Sequence, residues 1–205
     1  MRPYSIMKKL EYLGYIIIGF VLAICTYIYL DNKDTFDLKC IVSGVDGNKY
    51  CVRDRKKIQK AADLLASITE KCRKLVHYLD EKYPQQDNVQ RLVKGFNPQK
   101  VMETLPTSEY TAYSENKGEK LAFCLNQEKT DNDNLIDENT LMFVALHELA
   151  HIATKSIGHK NEFWDNFKFL LVEAKEAGLH NPQDYKEKPQ EYCGMKIKDS
   201  PYYDR

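Results

Sequence analysis

Glycine and proline are scarce, 9 and 7 among 205 residues, which excludes collagen-like and linker-like chains. An excess of charge of either sign is lacking: 30 Lys and Arg balance 30 Asp and Glu. A broad nucleic-acid footprint needs basic residues gathered on one face, so nucleic acid is not an expected partner. Cysteine, at six residues, is too sparse for a disulfide scaffold, and the chain is long enough for an ordinary hydrophobic core. No internal repeat of solenoid period is present. Long apolar runs are missing too, with one exception.

That exception is YLGYIIIGFVLAICTYIYL at 12–30, nineteen residues without a charge. As a helix it spans about 28 Å, close to the hydrocarbon thickness of a bilayer. Tyr12, Tyr15, Tyr27 and Tyr29 fall toward its ends, where amphipathic rings prefer the interface. Signal-peptide cores are shorter, and Ala23 with Cys25 makes a poor cleavage site, so a retained single-span anchor is expected. Arg2, Lys8 and Lys9 precede the span, which favours a cytoplasmic N-terminus. Three basic and one acidic residue lie before residue 31, so the remainder carries a net charge of −2.

Beyond the span, 1–11 reads as a tail, 12–30 as the anchor, 31–52 as a stalk and hairpin, and 53–205 as the functional domain. Ile41-Val42 and Tyr50-Cys51-Val52 flank a turn with Asp46-Gly47, a strong hairpin signal that puts Cys40 and Cys51 on opposite arms. A long amphipathic helix is expected over 55–83, ended by Pro84, with His77 at its surface. The stretch 89–107 is weakly patterned, with room for a short helix before Pro106. Residues 110–114 and 120–125 then read as a second hairpin, 126–134 as a solvated loop, and Asp137 to Thr140 as the capped start of another helix.

That helix carries His147-Glu148-Leu149-Ala150-His151, an HExxH motif. Four-residue spacing on a helix puts both imidazoles on one face, one turn apart, where both reach one ion. Glu148, one residue along, can address a water in an open coordination position. Zinc with an open site takes three protein ligands. His159 is favoured as the third, just after Gly158, which suits the turn that ends the helix and swings the chain back. Glu173 and Glu176 are alternatives that read better as a solvated face beside Lys175, and His180 lies further out. Phe163, Trp164, Phe167, Leu170 and Leu171 are spaced as a core face. Met195 reads as a core methionine or as a turn beneath the metal.

These residues, HELAH, then Gly158-His159, then Phe163-Trp164, resemble the signature of WLM and SprT-like zincin peptidases. The resemblance extends to metallopeptidase-type proteins of large DNA viruses through Asn139-Thr140-Leu141 and Tyr192-Cys193-Gly194-Met195, and covers about 40–203. It implies His147, His151 and His159 as zinc ligands, Glu148 as catalytic base, and a protein or peptide substrate. The seven residues between His151 and His159 depart from typical WLM spacing, so subfamily and substrate do not carry over. The expected fold is α+β and zincin-like: a small hairpin-bearing sheet over the long helix and the active-site helix, plus the N-terminal transmembrane helix. Zincins commonly hold substrate along an edge strand, and 120–125 is the expected one. The alternative is a membrane or virion structural protein with a non-catalytic zinc site.

Overall fold

The computed structural model describes residues 3–31, 38–129 and 134–204. The chain divides into two units, Met1–Asp37 and Leu38–Arg205. The first contains helix α1 (Pro3–Asp31), whose stretch Tyr12–Leu30 has mean hydropathy 2.2 and no buried residue. By length and composition this helix can cross a membrane. Of the stalk and hairpin expected at 31–52, residues 32–37 lie outside the described residues, and Asp31 is at the helix end.

The second unit is mixed α+β. Strands β1 (Leu38–Val42) and β2 (Lys49–Arg53) form the expected hairpin, with Cys40 opposite Cys51 and the two joined as a disulfide. Gly47, at φ 71°, takes the left-handed position in its turn. Helix α2 (Ile58–Lys82) buries Ala61, Leu65, Ile68, Cys72, Leu75 and Leu79, a stripe at three- and four-residue spacing. Each leucine so buried contributes roughly 1.5–3 kcal/mol. His77 lies on the exposed face, as expected.

The weakly patterned stretch contains the short helix the sequence allows before Pro106, α3 (Asp87–Gly95), and a strand that periodicity does not announce, β3 (Val101–Glu103). Strand β3 changes the sheet. It pairs parallel to β5 (Lys120–Phe123), while β4 (Ala112–Glu115) pairs antiparallel on the other side, giving the order β3-β5-β4. The strand expected at the edge, 120–125, is therefore central, and the edges are β3 and β4. A three-residue strand carries too few side chains to show a period of two, so its effect on sheet order is invisible in sequence.

Helix α4 (Glu138–Ala153) starts as expected, with Asp137 accepting the Thr140 N–H at 2.9 Å. From Thr140 to Ala153 every residue is buried except His147 and His151, which are half-buried. Helix α5 (Asn161–Glu176) packs against it. Strands β6 (Gln190–Tyr192) and β7 (Met195–Ile197) form a last hairpin, tied to the end of β5 by a Cys124–Cys193 disulfide. Asn126, expected in a solvated loop, is fully buried: its side-chain oxygen accepts from Arg55 Nη1 at 2.6 Å. Arg55 also pairs with the buried Glu103, which accepts the Arg53 backbone N–H at 2.7 Å. This network welds β2, β3 and the loop after β5, and its charges persist in the interior because each is paired or hydrogen-bonded.

Candidate metal centre

Helix α4 brings His147 and His151 to one face, and the chain returns to them after the helix ends. The ending differs from expectation. The helix stops at Ala153, where Thr154 turns extended and its N–H closes on the Ala150 carbonyl. Gly158 serves instead within the following loop, at φ 80°, a conformation that costs other residues strain. His159 then projects back. Its Nε2 lies 3.1 Å from His147 Nε2 and 3.2 Å from His151 Nε2, and one ligand atom from each residue falls within 4.8 Å of the others.

The spacing is a test of fit. Nitrogens at three corners of a tetrahedron around zinc, each about 2.0–2.1 Å from it, stand about 3.3–3.4 Å apart. The two separations from His159 are within a few tenths of that. Neutral imidazoles are the metal-binding form, and burial favours them. Burial lowers the His147 pKa to about 3, with His151 and His159 adding repulsion. Burial likewise lowers His151 to about 4, helped by His159 and Lys117. The donor set suits zinc.

One aromatic ring supports all three histidines. Phe163 is fully buried, and its centroid lies 4.9 Å from His147, 4.4 Å from His151 and 4.5 Å from His159. Trp164, expected in the core, is instead 44% exposed and packs 5.7 Å from His159. One step along a helix rotates a residue by about 100°, enough to swing Trp164 off the buried stripe that Phe163 and Phe167 share. Beside His147 lies a cavity of about 410 Å³, lined by Phe143, Trp164 and Phe167 of the two helices and by Asp199, Pro201 and Asp204.

Glu148 is buried at 5% exposure, and burial raises its pKa to about 7, opposed by the Ser114 backbone N–H that faces the carboxylate. The edge strand alongside this carboxylate is thus β4, which contains Ser114.

The other candidates lie elsewhere. Glu173 is neither solvated nor near the cluster; it is buried and accepts from Lys82 Nζ and Tyr83 OH, both at 2.8 Å. Glu176 is exposed and pairs with the same lysine at 2.7 Å. His180 is buried near Phe143, 6.4 Å between ring centroids, outside the cluster. Met195 neither joins the core nor underlies the histidines: it is 48% exposed, with its sulfur 3.6 Å from the Thr111 hydroxyl.

No protein-family model matches the chain. Two solved structures of Wss1 from Saccharomyces cerevisiae are similar at 19% identity. They give TM-scores of 0.45 and 0.47, cover 61% and 63% of this chain, and are themselves covered over 87% and 91% of their lengths. A likeness this slight carries neither substrate nor activity. Among viral relatives, the "Uncharacterized protein 136R" of Invertebrate iridescent virus 6 is 37% identical over 62 residues, covering 30% of this chain and 35% of that one. The "Uncharacterized protein 042R" of Invertebrate iridescent virus 3 is 43% identical over 61 residues, covering 29% and 36%. The "Uncharacterized protein R325" of Acanthamoeba polyphaga mimivirus is 30% identical over 190 residues, 89% of this chain and 95% of that one. With so much of both chains aligned, this chain belongs to the same family as that mimivirus protein.

Proposed function

We propose that the chain is a membrane-anchored, zinc-dependent peptidase of the zincin type, with His147, His151 and His159 holding the metal. The observation that carries this reading is the convergence of three imidazoles, with His159 Nε2 at 3.1 and 3.2 Å from the Nε2 atoms of His147 and His151, and a buried carboxylate one residue into the motif. A zinc ion held by His147, His151 and His159 would supply Lewis acidity for peptide hydrolysis. The protein supplies the rest. Glu148, with a pKa near neutrality, takes the proton of the attacking water and returns it to the leaving amine. Strand β4 offers a sheet edge to which an extended substrate can add as a further strand. The aromatic cavity beside His147 accommodates a substrate side chain.

The test uses the full chain in detergent. About one zinc per chain is expected, with cleavage of a casein-like unfolded protein that a chelator abolishes and added zinc restores. Absence of zinc overturns the reading. Bound zinc without cleavage across a broad peptide library leaves a non-catalytic zinc site in a membrane or virion structural protein.

Helix α1 serves as the anchor in this proposal, with the N-terminus cytoplasmic and residues 38–205 across the membrane. Two disulfides support that placement, since they persist in oxidising compartments. Intact vesicles should protect the second unit from protease added on the cytoplasmic side. Digestion from that side overturns the orientation.

A further inference from the structure

The loop 154–160 carries His159, and its backbone is held from several sides. A helix leaves its last four carbonyls without helical partners. Here Lys117, from the turn between β4 and β5, donates its ammonium to the carbonyls of His151 at 3.0 Å, Thr154 at 2.8 Å and Ser156 at 3.1 Å. Arg91 Nε takes the Ala153 carbonyl at 2.7 Å. From the other side, the two oxygens of Glu162 accept the N–H groups of Lys155 at 2.9 Å and Ser156 at 3.1 Å. One of Lys117's acceptors is thus the backbone of a histidine in the cluster, and another lies three residues before His159.

The turn is built to deliver that ammonium. Asn116 and Lys117 sit at φ 47° and 56°, left-handed positions where a lysine is unusual and glycine is the easy choice. The next residue, Gly118, presses on α3 and α4: a Cβ there would stand 2.5 Å from the Gly95 carbonyl oxygen and 2.7 Å from Ile152. The tip is therefore seated too closely for its lysine to wander. An unfavourable backbone held in place by close packing points to a role for the side chain it presents.

We infer that Lys117 is a positioning residue for the histidine cluster, locking the loop that carries His159 to the end of α4. This rests on the metal reading of the cluster. Because Lys117 belongs to the hairpin that also presents Ser114 to Glu148, it joins the edge strand and the third histidine into one rigid piece.

The experiment measures zinc affinity of the full chain by chelator competition. Lys117→Met is expected to weaken binding about 10-fold, as loss of a supporting contact around a metal site does. In a His159→Ala background the same change should weaken affinity by less than about threefold, because only its bond to the His151 carbonyl still bears on a ligand. Glu162→Gln, acting on the opposite side of the loop, should show the same dependence on His159. Equal weakening in both backgrounds, or none in either, overturns the inference. A second readout needs no metal: backbone amide exchange across 154–160 should quicken in metal-free Lys117→Met. If the wild type binds no zinc, the peptidase reading fails separately, and unchanged exchange then overturns the positioning role.

Discussion

Glu148→Gln is expected to lower peptide cleavage about 10²–10⁴-fold while leaving zinc content and fold unchanged. Glu148 follows His147 directly, so it points about 100° around α4 from the histidine face and does not compete to bind the metal. Glutamine keeps the size and can still accept the Ser114 N–H, but it cannot take a proton from water. The buried site tolerates this change well, since a neutral group replaces one that burial already disfavours as an anion. Initial rates on an unfolded protein substrate, with metal content measured on the same samples, decide the matter. Equal cleavage by wild type and variant would mean that the activity comes from elsewhere.

His159→Ala is expected to weaken zinc binding by at least about 100-fold, because it removes one of the three imidazoles that converge there. Glu173→Ala provides the contrast. It breaks the contacts of Glu173 with Lys82 and Tyr83 and should lower thermal stability, yet zinc should be retained in full. Full zinc retention by the His159 variant would sink the assignment of the third ligand.

What could be read in the sequence follows physical range. The apolar stripe of α2, the Asp137 cap of α4 and the Asp46-Gly47 hairpin turn depend on residues a few positions apart, and each stands where the pattern put it. His147 and His151 share a face by helical spacing alone. His159 comes close behind in the chain, so the convergence of all three histidines was also within reach. The misses involve partners remote in sequence or elements too short to show a period. Strand β3 has three residues, and its pairing displaces β5 from the edge. The Cys124–Cys193 bond spans 69 positions, and nothing local to either cysteine indicates it. Lys117 is separated by 34 or more positions from every carbonyl it holds, and in sequence it is one lysine in a polar turn. Trp164 stands next to a core residue, and its exposure shows only once the helix is set against its neighbours.

The Cys124–Cys193 bond closes a covalent ring, and His147, Glu148, His151 and His159 all lie within it. A single backbone cut inside the ring would leave two fragments still joined through sulfur. A nick there by any protease would leave a species that migrates near its intact mass until a thiol is added. The three clustered histidines would thus stay on one covalently joined molecule after the first cut.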